Sequence, residues 1–142
     1  MAGHLAMKGF AVRLLFRDAR GLETVIEAGG VTLHGALTGF GELEVISQNI
    51  AEVLDGAEVL FVVVPGHAHP DVARRCAPHL KPDQLVVLCP GRTFGAVSFK
   101  AALETHGQHA DIVIAEAQTI PHTCRRSSDG QVSILSMKAI VQ

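Results

Sequence analysis

The 142-residue sequence contains no tryptophan and no tyrosine, so six phenylalanines are its only residues with a benzene or indole ring. Charged residues make up only 18% of the chain, and the net charge is −2 at pH 7 with histidine counted as neutral. Proteins that bind nucleic acids use a basic surface and aromatic rings on which bases stack. The composition therefore argues against DNA or RNA as a partner.

Cysteine and long hydrophobic runs are also scarce. The three cysteines, Cys76, Cys89 and Cys124, form no C-x-x-C pair, which argues against a disulfide framework and against a thiolate zinc site. The longest unbroken aliphatic or aromatic run covers residues 59–64, far short of the roughly 20 residues that cross a bilayer. We expect a cytoplasmic protein with no signal peptide and no membrane partner.

Apolar residues are plentiful, at 48% before glycine is counted, and this excludes an intrinsically disordered chain. Three segments, residues 58–64, 84–89 and 111–116, are nearly continuous in aliphatic residues, as strands of parallel sheets are. The segments between them carry helix features, with Pro70 in a first turn and Gly107 as a stop.

The first third of the chain and its end predict further elements. In chain order these are a helix over 2–8, a strand over 11–16, a β-hairpin of 30–35 with 42–47, a short helix after Asn49, a loop over 121–130 and a strand over 131–136. Because strands and helices alternate, we expect a three-layer α/β sandwich with a mainly parallel sheet.

Polar, glycine-containing segments follow each of the three buried strands. They are PGHAHP at 65–70, PGRTFG at 90–95 and AEAQT at 115–119. A single Pro-Gly pair is an ordinary turn, but ligands of open parallel sheets bind at the carboxyl ends of the strands. Glycine allows close approach to the backbone, and Arg92 is a bidentate donor for phosphate or carboxylate. Three such loops at equivalent positions favour a ligand site.

Other candidate groups in these loops are weaker. His67 and His69 form an H-x-H pair, but two imidazoles without a third ligand do not define a metal site, so no metal is expected. Cys89 closes a buried strand and is expected to be a core residue. Glu116 is expected to bond loop backbone rather than to act as a general base.

The segments VVVPGHAHPDVARRCAPHL, VVLCPGRTFGAVSF and IAEAQTIPHTCR resemble the cofactor-binding half of the octopine and nopaline (opine) dehydrogenases. The combination of PGRTFGA with AEAQT is specific, whereas VVVP is shared by many dinucleotide enzymes. The resemblance implies a Rossmann-like domain that binds NAD or NADP, within an oxidoreductase that reductively joins an amino acid to a 2-oxo acid. Glycerol-3-phosphate dehydrogenases and ketopantoate reductases are similar in layout.

The chain departs from the family pattern at both ends. It begins at Met1 inside the first helix, without the family's first strand and glycine-rich turn, and stops at Gln142, before the catalytic helical domain. We therefore expect residues 1–142 to be a partial dinucleotide-binding domain that is inactive alone, binds dinucleotides weakly and self-associates through unpaired strand edges. No catalytic residue is assigned.

The resemblance also implies roles for residues that match the family's motifs. Arg17 and Asp18 would meet the adenosine ribose, where an acidic residue favours NAD and an arginine favours NADP. We lean towards NADP because Arg17 comes first. The remaining cofactor-binding candidates are Val64, Pro65, Gly66, His67 and His69. Those facing the nicotinamide and the substrate are Arg92, Thr93 and Gln118. The alternatives are a non-catalytic nucleotide-binding or interaction module, or a fragment of a related glycerol-3-phosphate or ketopantoate-type dehydrogenase.

Overall fold

A computed structural model describes residues 1–17, 21–127 and 131–139. The helices are α1 (Ala2–Met7), α2 (Leu22–Ala28), α3 (Ile50–Leu54), α4 (His69–Cys76) and α5 (Gly95–Thr105). The strands are β1 (Arg13–Leu15), β2 (Gly30–Gly35), β3 (Gly39–Glu42), β4 (Val45–Ser47), β5 (Val59–Val62), β6 (Leu85–Leu88), β7 (Val113–Glu116), β8 (His122–Arg126) and β9 (Val132–Met137). The chain divides into two compact units, of which the first combines Met1–Val53 with Pro121–Ala139 and the second contains Leu54–Ile120.

The second unit is built on a parallel sheet in the order β5-β6-β7. Val59 is paired with Leu85, and Leu85 with Val113, so the three strands end at the same edge. Helices α4 and α5 pack together, and Phe99 of α5 is fully buried. The three predicted strands, their parallel pairing and the two intervening helices are therefore confirmed, with Pro70 in the first turn of α4.

The first unit contains two sheets. Strands β1 and β4 form a parallel pair, and the second sheet has the order β3-β2-β9-β8. In that sheet β2 runs parallel to β9, while β3 is antiparallel to β2 and β8 is antiparallel to β9. Its core consists of five buried side chains, Val25, Val31, Leu33, Leu43 and Ile134.

Three local predictions were wrong in this unit. The hairpin partner of β2 is Gly39–Glu42 and not residues 42–47, because the later residues pair in parallel with β1. Residues 122–126 were predicted as loop but form β8. This polar segment is a strand because its backbone pairs with β9. Helix α2 was not predicted, although its residues Leu22, Val25 and Ile26 have helical spacing, and only Val25 among its residues is buried.

Close packing of α1 on the four-stranded sheet depends on two glycines. A Cβ on Gly41 would lie 2.2 Å from the backbone oxygen of Gly3, and one on Gly3 would lie 3.2 Å from the Val31 side chain. The backbones of α1 and β3 can therefore approach closely only because Gly41 has no side chain, whereas Gly3 packs tightly against Val31 of β2.

None of the helices that the structure describes combines the length and the hydrophobicity needed to cross a membrane.

Candidate functional site

The carboxyl ends of β5, β6 and β7 are held side by side by backbone hydrogen bonds that continue past the strands. The amide of Cys89 donates to the Val62 carbonyl, and the amide of Ala117 donates to the Leu88 carbonyl, each at 2.9 Å. The amide of Gly91 then donates to the Ala117 carbonyl, also at 2.9 Å. The loops after β6 and β7 are therefore joined directly at their bases.

The side chain of Glu116 fixes the loop between β6 and α5. Its carboxylate accepts a hydrogen bond from the amide of Ala96, in the first turn of α5. A Cβ on Gly91 would lie 2.5 Å from the Cβ of Glu116, so only glycine fits at that point of the loop. As expected, Glu116 bonds a backbone amide, but that amide belongs to the first turn of α5 and not to the loop.

The three residues predicted to face the nicotinamide and the substrate all lie in this joined pair of loops. Arg92 and Thr93 precede α5, and Gln118 follows β7, with every one of them exposed. Within the described residues, the guanidinium of Arg92 has no hydrogen-bond or ion-pair partner. It is therefore available to an anionic ligand.

Sequence reasoning missed Phe94, which lies in the same loop. Its side chain is 74% exposed, the highest value among the large apolar side chains that are exposed in this structure. Its backbone has φ of 58°, and that of Arg92 has φ of 61°, so both non-glycine residues are in the left-handed region. Nothing in the local sequence indicates this conformation, because neither residue type favours it.

The loop after β5 contains the predicted cofactor-binding residues of this unit. Val64 is half-buried, whereas Pro65, Gly66 and His67 are exposed, the last two in a 3₁₀ turn over Gly66–Ala68. A Cβ on Gly66 would meet no atom within 4 Å, so the backbone here is open to a ligand.

His69 differs from its neighbours because its side chain is directed inward. It is only 2% exposed, and its ring meets the Phe99 ring edge to face at 6.4 Å between centroids. Its Nε2 is buried and makes no hydrogen bond to any residue that the structure describes. The H-x-H pair is thus divided between one exposed and one buried imidazole.

Arg17 and Asp18, the residues predicted to meet the ribose, belong to the first unit. Arg17 is exposed at the carboxyl end of β1, where the amide of Phe16 continues the pairing by donating to the Ser47 carbonyl at 2.9 Å. The guanidinium of Arg126 lies 5.3 Å from the centroid of the Phe16 ring. Asp18 lies outside the described residues.

Thiol and metal chemistry receive little support. Burial raises the pKa of the Cys76 thiol to about 12 and also raises the pKa of Cys89, so neither forms a thiolate near neutral pH. This agrees with the expected core role of Cys89, which is 3% exposed. Across residues 1–17, 21–127 and 131–139, no group of three or more His, Cys, Asp or Glu side chains is arranged to hold a metal ion.

Comparison with known proteins gives one clear relative by sequence. No family model matches the chain. An opine dehydrogenase of Arthrobacter sp. (strain 1C) is 30% identical over 138 residues, which cover 96% of this chain and 38% of that protein. The chain is therefore similar in sequence to part of an opine dehydrogenase. The resemblance predicted from the PGRTFGA and AEAQT segments is therefore confirmed.

Solved structures show the same fold. Octopine dehydrogenase in complex with NADH and L-arginine matches with a TM-score of 0.82 and 22% identity, over 99% of this chain and 37% of that one. Its complex with NADH and pyruvate gives a TM-score of 0.83 at 22% identity, with 99% and 38% covered. A ketopantoate reductase from Ralstonia eutropha JMP134 gives 0.74 at 18% identity, with 95% and 42% covered.

These matches confirm the predicted Rossmann-like α/β class. The chain spans about two fifths of the length of the relatives it matches.

Proposed function

We propose that this chain is the nucleotide-binding part of an NAD(P)-dependent opine-type oxidoreductase, which reductively joins an amino acid to a 2-oxo acid. The observation that carries the proposal is the joined loop pair at the carboxyl ends of β6 and β7, where Arg92, Thr93 and Gln118 are exposed together. Ligands of open parallel sheets bind at this edge. The relationship to opine dehydrogenases gives the reaction class.

The residues present fit an anionic dinucleotide. Pro65 and Gly66 offer exposed backbone with free space, and the Arg92 guanidinium is unpaired among the described residues. When bound, the cofactor supplies the hydride. The chain's own residues bind and orient it: Gly66 permits close approach, Arg92 binds a negatively charged group, and Thr93 and Gln118 supply hydrogen bonds.

The finer choice between the two dinucleotides is part of the proposal. Arg17 is exposed two residues beyond the end of β1, in the region where an arginine would accommodate the 2′-phosphate of NADP. The neighbouring structures of octopine dehydrogenase are NADH complexes. We keep the preference for NADP because Arg17 precedes Asp18 in the sequence that follows β1.

We also propose that residues 1–142 contribute cofactor binding and no proton-transfer group. We assign no proton transfer to Glu116, because its Oε1 accepts the hydrogen bond of the Ala96 amide and so positions the start of α5. The competing hypothesis is a module that binds nucleotides without taking part in catalysis.

Saturation-transfer NMR with NADH and NADPH tests cofactor binding by the 142-residue chain, since this method detects weak ligands. We expect transfer from the protein to both nicotinamide and adenine protons. Arg92→Ala should weaken binding about tenfold or more, because it removes a charge-assisted hydrogen bond of about 1.5–3 kcal/mol. Arg125→Ala, on β8, removes the same charge elsewhere and serves as the control.

The proposal fails if neither dinucleotide receives saturation at millimolar concentration. It also fails if the two arginine variants weaken binding equally, because binding would then depend on net charge alone. Transfer confined to the adenine protons, unchanged in Arg92→Ala, would favour the non-catalytic nucleotide-binding module.

A further inference from the structure

The side chain of Arg126, the last residue of β8, contacts both ends of the connection between β1 and α2, residues 16–21. The carbon of its guanidinium lies over the Phe16 ring, 5.3 Å from the ring centroid, at the start of that connection. A Cβ on Gly21, at the end of the connection, would overlap its Nη2 nitrogen. The guanidinium therefore also lies against the backbone of Gly21, and the arginine is exposed to solvent.

The backbone fixes the point from which this side chain extends. Arg126 is paired with Val132 in the antiparallel pair of β8 and β9. Directly after it, the amide and the hydroxyl of Ser127 both donate to the Gln131 carbonyl, at 2.9 Å and 3.0 Å. The strand is therefore held up to its last residue, which is the arginine.

Phe16 supports the guanidinium from below. Its ring is partly buried and packs against the core of the first unit, and its amide extends the pairing of β1 with β4 by donating to the Ser47 carbonyl at 2.9 Å. The face of an aromatic ring attracts a cation. Because a guanidinium that stacks through its face keeps its N–H donors at its edge, Arg126 can bind an anion without leaving the ring.

We propose that Arg126 is a second cation for the 2′-phosphate of NADP, and so a residue that sets the choice between NADP and NAD. This inference rests on the proposed function, because the cation already assigned to that phosphate, Arg17, belongs to the same connection between β1 and α2.

The charge of the ligand gives the reason for two cations. A phosphate monoester carries a charge of about −1.5 to −2 at pH 7, and a single guanidinium leaves part of it uncompensated. Arginine binds phosphate through paired N–H donors, and these charge-assisted bonds are stronger than bonds to a neutral group. NAD has a neutral hydroxyl at the same position. A second arginine therefore raises the affinity for NADP more than the affinity for NAD.

Two nucleotides test this assignment on the 142-residue chain, adenosine 2′-monophosphate and adenosine 5′-monophosphate. They carry the same charge, but only the first has its phosphate where NADP has its additional one. We expect NMR titration to show tighter binding of the 2′-monophosphate. Arg126→Gln should weaken that binding about tenfold or more and change binding of the 5′-monophosphate by less than about twofold. Arg125→Gln, at the neighbouring arginine of β8, is the matched control and should change neither.

A substitution of Phe16 tests the support of the guanidinium without removing its charge. Phe16→Leu keeps an apolar side chain in the core but removes the aromatic face, so binding of the 2′-monophosphate should weaken about threefold. Ile46→Val shortens another partly buried side chain that packs against the same core, and it should leave nucleotide binding unchanged. The Tm of each variant shows that it is folded at the temperature of the titration.

Four outcomes overturn this inference. The first is equal affinity of the unaltered chain for the two monophosphates. The second is unchanged binding in Arg126→Gln where Arg17→Ala weakens it, since Arg17 would then bind the phosphate alone. The third is equal weakening of both monophosphates by Arg126→Gln, which would assign the guanidinium to the adenine ring. The fourth is an equal effect of Arg125→Gln, which would reduce the result to net charge.

Each of these results leaves dinucleotide binding by the chain as proposed. Absence of saturation transfer to both NADH and NADPH, which is measured separately, is the result that contradicts the proposed function itself.

Discussion

Arg17 is exposed at the end of β1, and its guanidinium is the cation that we assign to the 2′-phosphate of NADP. Arg17→Ala should therefore weaken NADPH binding about tenfold and leave NADH binding within a factor of two. Calorimetry or NMR titration with both dinucleotides measures the two affinities, and Arg125→Ala controls for net charge. Equal weakening for NADH and NADPH would contradict the lean towards NADP.

A histidine pair in the first unit gives stability a pH dependence. Nδ1 of His4 and Nε2 of His122 are 2.9 Å apart and share a hydrogen bond between α1 and β8. Burial lowers the pKa of both imidazoles below the usual 6.5, and the nearby charge of Lys8 adds to this for His4. Their positive charges would also repel each other, so the pair is stable with at least one ring neutral.

The sign of the effect follows from these lowered pKa values. Below pH 6.5 the unfolded chain binds protons that the folded pair does not accept, so protonation favours unfolding. The stability that the neutral pair contributes is complete above pH 6.5 and is lost as the pH falls through the folded-state pKa. Urea denaturation between pH 7.5 and 5 should show this loss, and His4→Gln with His122→Gln should reduce it.

His67→Gln is the matched control, because His67 is exposed in the loop after β5. It should leave the pH dependence of unfolding as it is in the unaltered chain. If the double variant lost as much stability at low pH as the unaltered chain does, other groups would be the cause.

At the scale of elements, Gln84 joins the segments that precede β5 and β6. Its amide nitrogen donates to the carbonyls of Ala57 at 2.6 Å and Leu54 at 3.4 Å, and its oxygen accepts from the Lys81 amide at 2.7 Å. The side chain is 7% exposed. Removing it would take away the partners of the partly buried Ala57 carbonyl and Lys81 amide, whereas the Leu54 carbonyl would keep its bond from the Ala57 amide. Loss of partly buried bonds is costlier than loss of an exposed one.

Gln84→Ala should therefore lower the free energy of unfolding by about 2–4 kcal/mol. Gln48→Ala, at an exposed glutamine, should change it by less than about 0.5 kcal/mol. Urea denaturation of both variants measures the difference. If both changed stability equally, the three bonds of Gln84 would contribute nothing beyond those of an exposed side chain.

The elements that the sequence predicts best are those with a nearly continuous apolar run, although β5 and β7 each have exposed residues in the structure. Residues 58–64, 84–89 and 111–116 are apolar almost throughout, and each contains one of the parallel strands β5, β6 and β7. By contrast, β8 is HTCRR, whose five residues include only one buried side chain. It forms a strand because its backbone pairs with β9. The residues of β8 alone do not indicate this pairing.

The candidate site shows the same division between local and long-range information. Pro-Gly pairs and Arg92 mark the loops from sequence alone. The exposure and left-handed conformation of Phe94 depend on how Gly91, Ala96 and Ser98 are bonded, and these bonds form only once β6, β7 and α5 are in place. A phenylalanine between Thr93 and Gly95 would otherwise be taken for a core residue.

At the scale of the whole molecule, the free edge of β5 bears on association between copies of the chain. β5 is bonded to β6 on one side, and no strand among the described residues pairs with its other side. Val59, Phe61 and Val63 on this segment are 44%, 41% and 40% exposed. An apolar strand with an unpaired edge is a template for pairing with another chain.

We therefore expect the chain to self-associate through β5, with a weight-average mass in sedimentation that rises with protein concentration. Phe61→Lys places a charge on the edge strand and should shift the mass towards that of the monomer, because charged side chains on edges oppose strand pairing. Ile26→Lys alters an equally exposed apolar residue on α2, 50% exposed, and should associate as the unaltered chain does. A monomer at every concentration would contradict pairing at β5, because the chain would not associate at all. Equal effects of the two lysine substitutions would also contradict it, because association would then not depend on the strand edge.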